Sequence, residues 1–367
     1  MPELKREPDN SNNGMKNNWT VLGIMSGTSL DGVDLACCRF SEDHGKWEYS
    51  IQEAVTIPYK ADWAERLRNV ENASAFEYVR TDIGFGHYLG QLAGNFIAEH
   101  SLRPDLIASH GHTVFHRPEQ QITSQIGQGA AIAAETGFPV ACDFRTTDVA
   151  LNGQGAPLVP IGDRLLFSAF DYCLNLGGFA NISYEMNGNR IAFDVCPVNI
   201  VMNYFSAKAG LPYDKGGALA QSGIICPELL TGLNSLPYYS LAPPKSLGKE
   251  WVLKNVLPFM TSFDISEADQ LSTFCSHISD QVSGVIENDY GKRMLVTGGG
   301  AWNSFLISEI QKKTKTEICI PDEMTVNFKE ALIFAFLGVL RLTNRLNCLA
   351  SVTGADKDSI GGAVYLH

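Results

Sequence analysis

Apolar runs broken by short polar turns mark the start of the chain. Residues 19–40 read WTVLGIMSGTSLDGVDLACCRF, in which two runs rich in aliphatic residues flank the polar stretch SGTSLDG. Runs of this kind separated by glycine and other turn residues are typical of paired strands. The pattern predicts strand, turn and strand over VLGIM and VDLACCRF, with a third strand in WEYSIQEAVTIPY.

The same unit returns about 150 residues later. DYCLNLGGFANISYE, residues 171–185, again places a glycine pair between two apolar runs, and RIAFDVCP adds a further strand. A third glycine run, in RMLVTGGGAWNSFLISEIQKK, joins a predicted strand to an amphipathic helix. Two copies of one strand–turn–strand unit, each followed by α/β sequence, predict a duplicated α/β fold around a cleft. Helical spacing over residues 76–100 places apolar residues at Val79, Ile83, Leu89, Leu92 and Phe96.

The duplication suggests how the chain divides. We expect a first domain over residues 19–144, a second over 145–359, and a C-terminal strand at about 360–367 that returns to the first domain. Residues 1–18 have no apolar core, which predicts a disordered leader and not a signal peptide. The run ALIFAFLGVL, residues 331–340, is about half as long as a membrane span and predicts a buried helix.

Charge and cysteine content narrow the class of partner. The formal net charge of −12 argues against binding to nucleic acid or to an anionic membrane, each of which needs a basic face. The nine cysteines are scattered and include no CxxC pair, so they predict free thiols in a reducing compartment. We therefore expect a cytoplasmic protein.

The glycine turns have the chemistry of an anion site. Glycines at 27, 32, 177 and 178 allow backbone N–H groups to converge on a phosphate. In the first turn, Thr28 and Ser29 add hydroxyls, and Asp31 suits Mg²⁺ held through water. Neither a GxxxxGK[ST] loop nor a GxGxxG fingerprint is present. Each turn alone is more typical of an ordinary hairpin or strand–helix turn; three together favour a nucleotide.

Longer motifs resemble a known family. GIMSGTSLDGVD, SHGHTVFHRP, GQGAPLVP, LNLGGFANIS, PPKSLGKE, LVTGGGAWN and SVTGAD are similar, in order, to the anhydro-N-acetylmuramic acid kinases. These belong to the sugar kinase, chaperone and actin ATPase superfamily, so the resemblance implies two ribonuclease-H-like domains with ATP between them. The implied ATP-binding residues are Gly27, Thr28, Ser29, Leu30, Asp31, Gly32, Val33, Asp34, Gly177, Gly178, Asn181, Gly298, Gly299, Gly300 and Asn303.

The resemblance also implies a reaction. Family members use ATP to phosphorylate O6 of 1,6-anhydro-N-acetylmuramic acid while water opens the anhydro bridge, in peptidoglycan recycling. The catalytic base of relatives lies in FDTGPGN, which here reads FDVCPVN, so Asp194 is the candidate. Val195, Cys196 and Val198 replace a threonine and two glycines, and loss of the glycines predicts a reshaped loop. Cys196 has no histidine motif to support a nucleophilic role.

Other polar residues are candidates for the sugar site. Three histidines in SHGHTVFH are compatible with a metal site or, more plausibly, with a polar substrate loop. Arg145 suits the lactyl carboxylate of the substrate, although a domain-joining ion pair with Asp143 is the alternative. Glu330 either faces the cleft or supports a helix N-terminus, and Lys245 is compatible with simple solvation. The predicted substrate-binding residues are His110, His112, Asp143, Arg145, Asn199 and Glu330.

The expected ligands are therefore ATP, Mg²⁺ and a small sugar, and the resemblance implies a homodimer. Two alternative functions stay open on the sequence. One is a kinase for a related anhydro or amino sugar, suggested by the altered FDVCPVN loop. The other is an actin-like or chaperone-like ATPase module.

Overall fold

The computed structural model describes residues 17–27, 30–286 and 290–366. Residues 1–16 of the predicted leader lie outside this range. The strands are β1 (Asn18–Ser26), β2 (Gly32–Asp43), β3 (Lys46–Pro58), β4 (Leu106–Ser109), β5 (His112–Arg117), β6 (Ile122–Ile126), β7 (Val140–Cys142), β8 (Tyr172–Leu176), β9 (Phe179–Met186), β10 (Asn189–Pro197), β11 (Arg293–Thr297), β12 (Glu317–Cys319) and β13 (Ala363–Tyr365).

Helices separate most of these strands. The longest are capped by side chains: Ser74 accepts from the Glu77 N–H and Ser266 from the Asp269 N–H, which satisfies N-terminal donors. The α-helices are α1 (Ala61–Asn69), α2 (Ala75–Glu99), α3 (Gly129–Thr136), α4 (Thr146–Ala150), α5 (Val159–Leu166), α6 (Asn199–Lys208), α7 (Ala218–Ser222), α8 (Pro227–Asn234), α9 (Lys249–Trp251), α10 (Leu257–Thr261), α11 (Glu267–Val285), α12 (Ser304–Lys313), α13 (Glu323–Leu342) and α14 (Ala350–Thr353).

Two sheets have the same strand order. The first runs β13-β7-β4-β1-β2-β3 and the second β10-β9-β8-β11-β12. In each, three consecutive strands pair antiparallel, and the first of them pairs parallel with a fourth that pairs parallel with a fifth. β13 is the additional edge strand and pairs antiparallel with β7. The predicted duplicated α/β fold is confirmed, and both glycine turns occupy the same place in their sheets.

Helix α13 packs against the first sheet although it comes late in the chain. Gly23 of β1 allows this approach, because a Cβ there would lie 2.0 Å from the carbonyl oxygen of Ala331. Gly338 packs against β4, where a Cβ at this position would lie 2.8 Å from both Leu106 Cδ2 and Ala108 Cβ. The predicted boundary at residue 144 places α13 in the second domain and stays a prediction. The buried helix predicted for residues 331–340 is confirmed as part of α13.

Apolar burial follows most of the predicted patterns. Leu89 and Phe96 of α2 are buried, whereas Val79 and Ile83 of the same predicted face are exposed, because the buried face of the early turns carries Thr81 and Phe85 instead. All nine cysteines are free thiols. Among the described residues, no helix combines the length and the apolar character needed to cross a bilayer.

Candidate active site

A cleft of about 820 Å³ brings together polar residues from distant parts of the chain. Its walls come from the segment before β8, from β9 and β10, from the loop around residue 245 and from α13. Of the residues predicted for the site, Asp194, Asn181 and Glu330 line it. The charged residues on its walls are Glu119, Asp163, Asp194, Lys245, Lys329 and Glu330.

Asp194 is held by contacts on both carboxylate oxygens. The Asn181 amide, opposite it on β9, donates to Oδ1, and the Leu247 N–H donates to Oδ2 at 2.7 Å. The Tyr238 hydroxyl donates to the Asp194 backbone oxygen at 2.6 Å. Burial raises the pKa of the Asp194 carboxyl, while the hydrogen bonds from Leu247 and Asn181 oppose the rise. The side chain is thus a fixed carboxylate poised to accept a proton.

The altered FDVCPVN loop contains a β-bulge. The pairing of β10 with β9 shifts between Asp194 and Cys196, which leaves Val195 as the extra residue. Val195, Cys196 and Val198 are buried, and none has a positive φ. The loop therefore has no left-handed backbone position at these three residues that would require glycine. Burial raises the pKa of the Cys196 thiol well above its usual range, which opposes a nucleophilic role.

The second and third glycine segments lie side by side. Gly298 has φ +81°, and a Cβ there would lie 2.7 Å from Asn175 Oδ1. Asn199 joins the two segments, since its N–H donates to the Gly177 carbonyl at 3.2 Å and its amide packs near Gly299. Asn199 contacts these glycine segments and does not line the described cleft wall. Its predicted contact with the sugar stays a prediction. Gly178 is exposed, whereas Gly300 is buried, and a Cβ at Gly300 would lie 2.7 Å from Leu176 Cβ. The Asn303 side chain accepts from the Leu306 N–H at the start of α12.

The first glycine turn is described only in part. Thr28 and Ser29 lie outside the described residues. Leu30 has a positive φ of 60°, and Gly32 is needed because a Cβ would lie 2.6 Å from the Ile57 carbonyl oxygen. Val33 is buried on β2, whereas Asp31 is exposed. Asp34 accepts from the Thr56 hydroxyl at 2.6 Å, and burial is the main cause of its raised pKa.

His110 and Arg145 form one buried unit beside this turn. The His110 Nδ1–H donates to the Gly111 carbonyl at 2.8 Å, so Nε2 accepts from the Arg145 Nη2 at 2.8 Å and Nε at 3.1 Å. Arg145 Nη1 donates to the Gly155 carbonyl at 2.6 Å. Burial holds the pKa of His110 well below its usual value, and the charge of Arg145 adds to this. His110 is therefore a neutral acceptor that orients the arginine.

The other predicted sugar residues lie nearby. His112 is buried, and its Nδ1 has no hydrogen-bond partner among the described residues. Asp143 accepts from the Thr146 hydroxyl at 2.5 Å instead of pairing with Arg145. No cluster of three metal-ligating side chains is found within the described ranges, so the histidine-rich loop gains no support as a metal site. Sugar contacts for His110, His112, Asp143 and Arg145 stay predictions.

Comparison with known proteins identifies the family. The family model described as anhydro-N-acetylmuramic acid kinase matches residues 19–367. The chain belongs to the anhydro-N-acetylmuramic acid kinase family. It is 33% identical to the anhydro-N-acetylmuramic acid kinase of Sulfurimonas denitrificans, over 94% of this chain and 98% of that one. It is 34% identical to that of Vibrio cholerae, over 94% and 97% of the two chains. The predicted family is confirmed.

Two solved structures are similar to this member of the anhydro-N-acetylmuramic acid kinase family at low sequence identity. An activator of 2-hydroxyisocaproyl-CoA dehydratase from Clostridium difficile, with bound ADPNP, is 12% identical with a TM-score of 0.40. It is matched over 89% of this chain and 97% of that chain. A ROK family protein from Streptococcus pneumoniae is 11% identical with a TM-score of 0.38, over 88% and 99% of the two chains.

One acceptor in this family member had no predicted role. Asp148 is buried and accepts from the Gly155 N–H and the Thr353 hydroxyl, both at 2.7 Å, and from the Cys348 thiol at 3.0 Å. It thereby joins SVTGAD, near the C-terminus, to the neighbouring motifs CDFRTTD and GQGAPLVP, which lie about 200 residues earlier. Residue type gives no signal for this role, because the burial that makes a carboxylate require donors depends on tertiary contacts.

Proposed function

We propose that this protein is the kinase that its family name describes, acting on 1,6-anhydro-N-acetylmuramic acid with ATP as phosphoryl donor. The product is N-acetylmuramic acid 6-phosphate, formed in the recycling of cell-wall sugars. The observation that carries the proposal is Asp194, a carboxylate fixed by Leu247 and Asn181 on the wall of a cleft large enough for a sugar. The family match makes the alternative sugar kinase and the ATPase module the less favoured functions.

The proposed chemistry uses one base for two coupled events. Asp194 accepts a proton from water as the water oxygen bonds to the anomeric carbon. The bond between that carbon and O6 breaks, and O6 attacks the γ-phosphorus of ATP so that ADP leaves. One water and one phosphoryl group are thereby added to the sugar. Asn181 and Leu247 keep the carboxylate oriented through both events.

The proposed nucleotide site is built from the glycine segments. Gly178 and Gly299 are exposed on the second and third glycine segments, and their backbone N–H groups would bind phosphates. The Gly177 and Gly298 N–H groups already donate to the Phe179 and Val326 carbonyls, at 3.1 and 3.4 Å. The first glycine turn is expected to complete the site. Burial raises the pKa of the Asp34 carboxyl, and the nearby negative charge of Asp31 raises it further. Two neighbouring carboxylates that repel each other suit a divalent cation. Mg²⁺ supplies charge neutralisation for phosphates, and Asp31 would hold it through water. A homodimer and a cytoplasmic location belong to the same proposal.

The protonation of Asp194 predicts the pH dependence of turnover. Because burial raises its pKa above 3.8, the proton-accepting form is lost as pH falls through that higher value. We expect sugar-dependent kcat/KM to fall about tenfold per pH unit on the acid side. Burial lowers the pKa of His110 well below its usual value and that of His277 to about 3. Neither histidine is therefore expected to cause the acid-side fall in kcat/KM. A profile that stays flat down to pH 4 would contradict the assignment.

The function is tested by ADP release with ATP, Mg²⁺ and one sugar at a time. We expect release with 1,6-anhydro-N-acetylmuramic acid and none without sugar. Release only with another anhydro or amino sugar would establish the alternative kinase. Release without any sugar would establish the ATPase module and overturn the proposal.

A further inference from the structure

The cleft contains one lysine that pairs with no acidic side chain among the described residues. Lys245 and Lys329 are the two lysines on its described walls, and Lys329 is paired with Asp163 at 2.7 Å. The Lys245 ammonium instead donates to the Tyr238 carbonyl at 3.4 Å and lies 4.7 Å from the centroid of the Tyr238 ring. A weak neutral acceptor and a ring face leave most of its donor capacity unused.

The predicted carboxylate-binding residue is already engaged. Three guanidinium nitrogens of Arg145 donate to His110 Nε2 and to the Gly155 carbonyl. Arg145 is also absent from the described walls of the cleft. A guanidinium binds a carboxylate best when two of its parallel N–H groups are available. In Arg145, Nη2 already donates to His110 and Nη1 to the Gly155 carbonyl. This leaves Lys245 as the available cation.

Lys245 is tied to the catalytic residue through the backbone. The Asp194 N–H donates to the Lys245 carbonyl at 3.2 Å, and two residues further on the Leu247 N–H donates to Asp194 Oδ2. Tyr238, whose ring supports the ammonium, donates its hydroxyl to the Asp194 backbone oxygen. Asp194 and Lys245 also line the same cleft, so a sugar placed for attack by the water at Asp194 occupies the cleft that contains the ammonium.

The position of the ammonium favours an anion. Lys245 is half-buried, and burial lowers its pKa, so part of its hydration is already lost before substrate binds. A site with an unpaired, partly desolvated donor discriminates strongly against a ligand that lacks the matching group. The substituent that distinguishes a muramic acid from a glucosamine is a lactyl ether, which ends in a carboxylate.

We propose that Lys245 binds the lactyl carboxylate and selects carboxylate-bearing anhydro sugars over neutral ones. This inference rests on the proposed function and adds the group that sets its substrate class. Apart from the paired Lys329 and Asp163, the other charged residues on the described cleft wall are the acidic Glu119, Asp194 and Glu330. An anionic substrate therefore needs this counter-charge to enter.

The test compares two sugars on four proteins. Wild type, Lys245→Met, Lys245→Arg and the control Lys249→Met are assayed for binding by calorimetry and for turnover by ADP release. Lys249 is an exposed lysine of the same PPKSLGKE segment. The sugars are 1,6-anhydro-N-acetylmuramic acid and 1,6-anhydro-N-acetylglucosamine, which has a hydroxyl in place of the lactyl ether.

Loss of one charge-assisted hydrogen bond predicts a defined change in preference. Lys245→Met should weaken binding of the acidic sugar about 10- to 100-fold and reduce the preference over the neutral sugar by the same factor. Lys245→Arg should recover most of the preference, and Lys249→Met should match wild type. Turnover by wild type with an unchanged preference in Lys245→Met would overturn this inference alone, as would an equal loss for both sugars. No wild-type turnover with either sugar would overturn the proposed function and this inference together.

Discussion

Replacing Asp194 with asparagine should reduce sugar-dependent turnover by about 10³-fold, within the range measured for loss of a general base. Asparagine keeps the size of the side chain and still offers an oxygen to the Leu247 N–H. It cannot accept the proton from water, so the anhydro bridge stays closed and O6 is not released. The measurement is the rate of ADP release with and without 1,6-anhydro-N-acetylmuramic acid.

ATP binding separates this effect from a folding defect. The nucleotide is expected on the glycine segments, so the dissociation constant for ATP should be the same in Asp194→Asn and wild type. The matched control is Asp264→Asn, because that residue is exposed in the loop before α11 and lines no described part of the cleft. Near-wild-type turnover by Asp194→Asn would remove Asp194 as the base.

Replacing Lys329 with methionine should cost about 3 kcal/mol of unfolding free energy, the lower end of the range for breaking a buried ion pair. Lys329 is 5% exposed and its ammonium lies 2.7 Å from Asp163, which is equally buried. The substitution leaves the Asp163 charge in the protein interior. The Ser183 hydroxyl at 2.5 Å and Arg190 at 3.9 Å compensate it in part, which explains the lower value. Chemical denaturation measures the change.

Two further variants identify the cause of that loss. Adding Asp163→Asn to Lys329→Met should recover part of the stability, because the unpaired charge is then absent. Lys312→Met removes the partner of Glu309 in a pair whose lysine is 65% exposed, and should cost under about 0.5 kcal/mol. Equal losses in Lys329→Met and Lys312→Met would contradict a special role for burial.

The duplicated fold was predictable because its signal is local. Each first strand is an apolar run followed by a glycine-containing turn, and each turn leads directly into the next strand. The apolar run inside α13 also predicted burial. Its place on the first sheet was not predictable, since the close approach at Gly23 joins residues about 300 positions apart.

The site was predictable only where a side chain carries the chemistry. Asp194 and Glu330 were found by residue type and family resemblance, and both line the cleft. The donor from Leu247 is a backbone N–H, which any non-proline residue supplies and which therefore leaves no pattern in the sequence. Arg145 was assigned to a carboxylate from its chemistry alone. Its engagement by His110 follows from tertiary contacts that residue type does not encode.

The coupling of bridge opening to phosphorylation is tested most directly by the mass of the product. The protein is incubated with ATP, Mg²⁺ and 1,6-anhydro-N-acetylmuramic acid, and the sugar is analysed by mass spectrometry. We expect a product heavier than the substrate by one water and one phosphoryl group, formed in a one-to-one ratio with ADP. A product that has gained only one of the two groups, or ADP formed without any change in the sugar, would contradict the account.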